Sequence, residues 1–531
     1  MTKKTYLIIP LCAAILAAAI GLYLRYSAAN IPPQDPSRTI ALIPLDSRPC
    51  NTQYPQILSQ MANYRIILPP TDALDDFLRP ADSQALWQWL EQASANCQQI
   101  IIFTNELFNG GLIHSRNSQA YDDTAAQLTR LEQFAQAHPQ HTITLVTILP
   151  RLKPSQFDDA LWPYEVQLTL WGQQLDQAAL DGAPQPAIPD GVPPNIAQQY
   201  LDLFDHSRQL AEGLAQLAQN GTINRLIIGQ DDAQALCPAN IIYRDLQNLQ
   251  IPNLTLIHGA DEITMLLVAN AVNNQPPLGV NIIYTNPALA QTYFPYEAAP
   301  LTELINDKLA LAGLAPDPDS DWTVIIHTDP QAADNIPSLL NAYSQAAYLG
   351  LADIAYTNKG DSTLYPYLSQ ITIQDQLNCY AGWNTASNTL GTIFAHLRIS
   401  QQLQTTYPAL NKAHRTTALT ALHTFKIIRL TEDQIYQAHL SEPLRTNLQN
   451  WDIMHYTNTF QPNRRLEAQT ILQTRFAPYQ TTLNDTFSGT HHITLGQYPI
   501  TYTITDLQTP IQFPWNRAFE IIAQPTFTLT L

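Results

Sequence analysis

The sequence predicts an α/β fold, a mostly parallel sheet with helices on both faces, and three observations predict it. Short β-branched runs alternate with longer segments whose apolar residues recur three and four positions apart. Strand and helix repeated in this order mean parallel neighbours, because parallel strands need crossover connections. The strand runs are also near-continuously apolar, as strands covered on both faces are. An open doubly wound sheet, single or split into two lobes, is the leading architecture, and a closed β/α barrel is the alternative. Both place functional residues at the carboxyl ends of strands.

The expected strands are Thr39–Leu45 (TIALIPL), Arg65–Leu68, Gln99–Thr104 (QIIIFT), Thr142–Leu149 (TITLVTIL), Ile223–Gly229, Leu254–His258, Val280–Thr285, Thr323–His327 and Ala352–Thr357. Helical patterns fill Ser83–Ala95, Thr124–Ala137, Ile196–Gln219, Glu262–Val272 and Leu301–Ala312. Ala178–Asn195 carries five prolines and reads as an exposed loop. After this α/β body, residues 39–400, a polar helical region is expected over 401–472. A small β-rich region, residues 473–531, closes the chain, with polar and β-branched residues alternating from His491 onward.

Ahead of the body, Lys3 and Lys4 precede an uncharged run from Tyr6 to Leu24, and Arg25 ends it. A helix of that length just crosses a hydrocarbon core of roughly 30 Å. Residues 1–25 are therefore expected to form a single-pass signal anchor, and residues 26–38 a proline-containing linker. The positive-inside rule then puts the body outside the cytoplasm. Ser27-Ala28-Ala29 leaves cleavage of a signal peptide as the alternative. Lys+Arg total 26 against Asp+Glu 44, a net charge of −18. So acidic a chain has no electrostatic footprint for nucleic acid, and membrane attachment falls to the N-terminal helix. Cys50, Cys97, Cys237 and Cys379 contain no CxxC pair, which excludes a zinc ribbon or thioredoxin-type site, and they read as buried free thiols.

Several strands run directly into polar clusters: Asp46-Ser47-Arg48, then Glu106 ahead of Gly110-Gly111 and Arg116, then Gln230-Asp231-Asp232, Gly259-Ala260-Asp261-Glu262, Asp353, and Trp383-Asn384 through Asn388. Asp231 and Asp232 are the first catalytic candidates. Adjacent carboxylates at a strand end point in different directions, and like-charge repulsion raises the pKa of one of them. The competing reading is that one of them caps the next helix. Glu106 would assist, with glycines that allow close backbone approach and Arg116 to clamp an anionic or carbonyl group. Trp383 with Asn384 and Asn388 resembles a sugar-binding surface, although these residues also suit a helix N-terminus. Arg48 would pair with Asp46, and Asp261-Glu262 would cap a helix. No GxSxG elbow, HExxH helix, P-loop or GxGxxG fingerprint occurs, and no cofactor is expected. A cation site built from Asp46, Asp231, Asp232 and Asp353 is an alternative.

The motifs PLDSRP, NGGLIHSR, GQDDA, GADE, NKGD and GWNTASNTLGT, and the ending Pro514-Trp515-Asn516-Arg517-Ala518-Phe519-Glu520, occur in this order. The chain thereby resembles the bacterial family called domain of unknown function 4127, from about residue 39 to 523. It departs from that pattern at Ser47, where a second Asp is usual, and at Asn109, where an aromatic is common. The resemblance implies fold and boundaries and no activity; with a bacterial family, the membrane expected for the N-terminal anchor is the bacterial cytoplasmic membrane. From the residues themselves, the expectation is a hydrolase of a glycan or related cell-envelope molecule. Asp231, Asp232 and Glu106 would supply the chemistry, and Asp46, Arg48, Arg116, Asp353, Trp383, Asn384 and Asn388 would bind. A non-catalytic envelope ligand-binding protein and a divalent-cation-dependent hydrolase are the alternatives.

Overall fold

A computed structural model describes residues 35–273, 275–448 and 459–531. Two open, parallel sheets form the body, and neither closes into a barrel. The first has the order β2-β1-β3-β4-β5-β6, from strands Thr39–Ile43 (β1), Arg65–Ile67 (β2), Gln99–Phe103 (β3), Thr142–Leu149 (β4), Arg225–Gln230 (β5) and Leu254–Leu256 (β6). The second has the order β11-β10-β9-β7-β8, from Leu278–Tyr284 (β7), Leu314–Pro316 (β8), Trp322–His327 (β9), Tyr348–Asp353 (β10) and Cys379–Ala381 (β11). The strand expected at Ala352–Thr357 thus lies upstream, at Tyr348–Asp353.

Alternation along the strands explains the layering. In β1 and β3 of the first sheet, Ala41, Ile43, Ile100 and Ile102 face one core, shared with helices Ser83–Ser94, Thr124–Ala137 and Pro194–Gln219. Their neighbours Ile40, Leu42, Ile101 and Phe103 face the other. That second core takes in helices Gln53–Met61 and Ile263–Ala271 and runs on without a break into the second sheet through Val280, Val324, Ile325 and Leu351. The lobes therefore share one apolar core, where each fully buried Leu or Ile contributes ~1.5–3 kcal/mol.

The expected boundaries at 400/401 and 472/473 fall inside helices Ala386–Thr406 and Arg465–Phe487. The region between them packs into the body. Helix Lys412–Arg429 buries Leu419, Leu422, Phe425, Ile427 and Ile428 in the second core and continues into a π-helical stretch, Leu430–Leu440. An antiparallel sheet of Gly489–Leu495 (β12), Tyr498–Gln508 (β13) and Thr526–Thr530 (β16) follows, with a small pair, Ile511–Gln512 (β14) and Ile522–Ala523 (β15). The four cysteines of the body are buried and free.

Among the described residues no helix is long and apolar enough to cross a membrane. The expected span, residues 6–24, lies outside them, as does the linker as far as residue 34. The single-pass anchor and the extracytoplasmic placement are accordingly withdrawn.

Candidate functional site

The carboxyl ends of both sheets open onto one cleft of about 330 Å³. The turns after β1, β3, β4, β5 and β6 bring Arg48, Arg116, Arg151 with Lys153, Asp231 with Asp232, and Asp261 to its lining. The second lobe adds Asn358 and Asn384 from the turns after β10 and β11, and the C-terminal segment adds Arg517 and Phe519. The meeting of β5 and β6 is local sequence at work. A Cβ on Gly229 would lie 2.6 Å from the carbonyl oxygen of Gly259, so only glycine lets the two strand ends close up. Gln230 N–H then donates to that carbonyl (3.0 Å), and Asp231 N–H to Leu149 O (3.1 Å), which aims Asp231 and Asp232 into the cleft.

Every acidic group on the lining is met by an arginine. Arg48 donates from Nε and Nη2 to Asp46 Oδ2 (2.8 and 2.6 Å) and from Nη1 and Nη2 to Asp261 (3.0 and 2.5 Å). Asn51 completes the clamp by donating to Asp46 Oδ1 (2.8 Å). Arg116 Nε donates to Asp231 Oδ2 (2.7 Å), its Nη2 forms an ion pair with the same oxygen (2.7 Å), and Arg151 Nη2 reaches Asp232 Oδ2 at 3.0 Å. Burial raises the pKa of Asp231 against the pull of Arg116, with Asp232 adding to the rise. Burial likewise pushes Asp261 up to about 6 against the pull of Arg48.

Backbone strain gathers at the same place. Eight non-glycine residues among those described have positive φ, and four of them, Asp232 (26°), Tyr296 (67°), Asn358 (67°) and Asn384 (54°), line this cleft. Such conformations cost of order 1–3 kcal/mol each and concentrate where function needs a group held in place. Trp162, Phe157 and Phe519 give the cleft partly exposed aromatic faces.

Five expected site residues therefore meet here: Arg48, Arg116, Asp231, Asp232 and Asn384. Neither aspartate of the 231–232 pair caps a helix, since the next one starts at Pro238 behind Cys237. The other five lie elsewhere. Asp46 is fully buried behind Arg48. Glu106 is sealed beneath the cleft, accepting from Asp75 N–H (2.9 Å), and burial with the neighbouring Asp75 holds its carboxyl well above the usual range. Asp353 accepts from Asp361 N–H (2.6 Å) and Tyr380 Oη (2.9 Å) inside the second lobe. Asn388 forms a capping box with Thr385 and donates to Glu262 Oε2 (2.8 Å).

Trp383 is no open stacking face. It is 7% exposed, its indole N–H donates to Thr392 Oγ1 (2.9 Å), and its ring meets Tyr54 edge-on. It borders a side pocket of about 20 Å³, room for one water, together with Tyr54, Glu432 and Glu520. The expected caps Asp261 and Glu262 are also reassigned, to Arg48 and to Lys308 (2.8 Å) respectively.

A family model described as a protein of unknown function, DUF4127, matches residues 40–524, which takes in both sheets and every residue of the cleft named above. The chain belongs to this family. No curated protein and no solved structure matches it.

In this DUF4127 chain the four carboxylates of the expected cation site do not converge. Arg48 and Asn51 hold Asp46, Arg116 holds Asp231, Arg151 holds Asp232, and Asp353 sits in the other lobe. Among the described residues, no group of three or more His, Cys, Asp or Glu side chains is placed to hold a metal ion. Sequence reasoning missed Arg151, Lys153, Trp162, Tyr296 and Arg517. Arg151 had a usable signal: Pro150-Arg151-Leu152-Lys153 follows β4 at once, as the other polar clusters follow their strands.

Proposed function

We propose that the cleft is the active site of a hydrolase acting on a sugar-containing molecule, in which Asp231 exchanges the proton and Asp232 positions the substrate. The observation that carries this reading is a pair of consecutive carboxylates facing one cleft in unlike settings. The Asp231 side chain is 7% exposed and its neighbour's 26%, and each has its own arginine. Environments that differ across such a pair separate an acid from a charged partner. Because Arg116 Nε donates to Oδ2 and Nη2 pairs with the same oxygen, Oδ1 is the oxygen left to carry the proton. As the glycosidic C–O bond breaks, that proton passes to the leaving oxygen. Arg116 steadies the new carboxylate, which then takes a proton from the attacking water. Asn358 and Asn384 supply amides for hydroxyl groups, and the faces of Trp162, Tyr296 and Phe519 suit the apolar side of a sugar ring.

The test is hydrolysis of a panel of chromogenic glycosides and oligosaccharides by the wild type and by Asp231→Asn and Asp232→Asn. General acid–base catalysis typically contributes about 10²–10⁴-fold, so Asp231→Asn loses turnover of that order with its melting point little changed. Equal turnover in both variants and the wild type would show that the pair only shapes the cleft. Sugar binding without hydrolysis of any panel member would make the protein a binder instead.

A further inference from the structure

A second cavity, of about 170 Å³, lies at the opposite end of the second sheet. Ala346, Ala347 and Asn378, which line it, immediately precede β10 and β11, so it sits at the amino ends of these strands while the cleft sits at carboxyl ends. Helix Lys412–Arg429 and β12 close it from the other side.

The charge on this lining is unusual. Lys426 is 6% exposed, and the hydrogen-bond partner of its Nζ is the backbone carbonyl of Gln374. Among the described residues no carboxylate stands within ion-pair distance of it. The nearby acid, Asp375, is already engaged. Its Oδ1 meets His491 Nδ1 (2.7 Å), and its Oδ2 accepts from His492 N–H (3.1 Å). His491 Nε2 meets Phe487 O in turn (2.8 Å), and both oxygens of Asp375 are already taken by partners other than Lys426 Nζ. One turn before Lys426, His423 lines the same cavity, and its Nδ1 is buried without a partner. A lysine is almost never buried unless paired. Burial pushes this one down to about 8, which expresses the same deficit of negative charge.

We propose that this cavity is a second binding site, distinct from the cleft, that takes a small organic carboxylate. An ammonium has three donors, and Gln374 O uses one, which leaves two for a carboxylate. His423 Nδ1 becomes a further donor in the tautomer where Tyr502 Oη donates to Nε2. Leu403, Leu422 and Ile493 on the same lining favour a ligand with an apolar part over inorganic phosphate. A single water needs only ~10–15 Å³, so the space admits several heavy atoms.

Propionate, its neutral isostere propionamide and inorganic phosphate are the probes, each titrated into the full chain by calorimetry and by melting point. Propionate binds saturably and raises the melting point, while propionamide and phosphate do neither. Charge-assisted hydrogen bonds to Lys426 make binding roughly tenfold weaker or worse in Lys426→Met. Propionamide acting like propionate, phosphate binding in its place, or undiminished binding in Lys426→Met would each overturn the proposal. Should that variant not fold, reductive methylation of the wild type read by mass spectrometry decides. Propionate protects Lys426 and propionamide does not; equal labelling under both rejects the site.

Discussion

Asp75→Asn tests the buried carboxylates beneath the cleft without needing a substrate. Asp75 is 1% exposed, and its Oδ1 accepts Ser47 N–H at 2.6 Å, while its Oδ2 is buried without a partner. Burial, with the charge of Asp46 added, pushes its pKa up to about 8. In the unfolded chain it is about 3.9. Between these values the folded protein holds a proton that the unfolded chain has lost. The group's contribution is therefore complete below about pH 4 and drains away as pH rises towards 8, at about 1.4 kcal/mol per pH unit. Asparagine keeps the acceptor for Ser47 and cannot titrate. From about pH 5 to pH 7 the variant should gain about 3 kcal/mol of unfolding free energy relative to the wild type. Urea unfolding of both proteins at the two pH values, followed by tryptophan fluorescence, measures it. Parallel pH dependences would mean that Asp75 is ionised in the folded protein and would refute the reasoning.

Three further outcomes follow from the same geometry. Arg48→Met strands Asp46 and Asp261 without their counter-charge and should cost about 3–5 kcal/mol, while pairing it with Asp261→Asn recovers part of the loss; urea unfolding of the three variants measures this. Gly111→Ala places a Cβ 2.9 Å from Asp75 Oδ2 at φ +115°, whereas Gly182→Ala at φ +61° meets nothing within 4 Å. The first should lower the melting point much more than the second, and equal losses would contradict the packing around Asp75. Trp383→Phe removes the bond to Thr392 and should cost about 1–2 kcal/mol with ligand affinity little changed. A large loss of affinity at unchanged stability would restore Trp383 to the binding surface.

The strands were legible where they are long and buried on both faces, as β4 is, because only such strands read as unbroken apolar runs. β2 and β6 are as short as β8 and β11, three residues each, but β2 (RII) and β6 (LTL) carry β-branched residues, whereas β8 (LAP) and β11 (CYA) carry none and both escaped. The region from Lys412 onward read as polar because Lys426 and Arg429 stand on its buried face. Arg429 is satisfied there by Glu432 (2.7 Å) and Asp433 (3.0 Å) and lies over the ring of Tyr54 (4.2 Å), a contact that no local pattern announces.

By itself the sequence determined the parallel α/β class, the strand ends at which polar clusters gather, and the Asp46–Arg48 pair, because each depends on residues near one another in the chain. Only the tertiary structure decided which clusters meet. Arg48 and Asp261 are 213 residues apart and form one clamp, Arg116 and Asp231 are 115 apart and form another, while Glu106 and Asp353, equally promising as residues, end up buried away from the cleft. Side-chain chemistry and spacing determine what a strand end can do. Which strand ends face the same water-filled space is decided by sheet order and by the shared core that holds the two lobes together, and that information is spread over the whole chain.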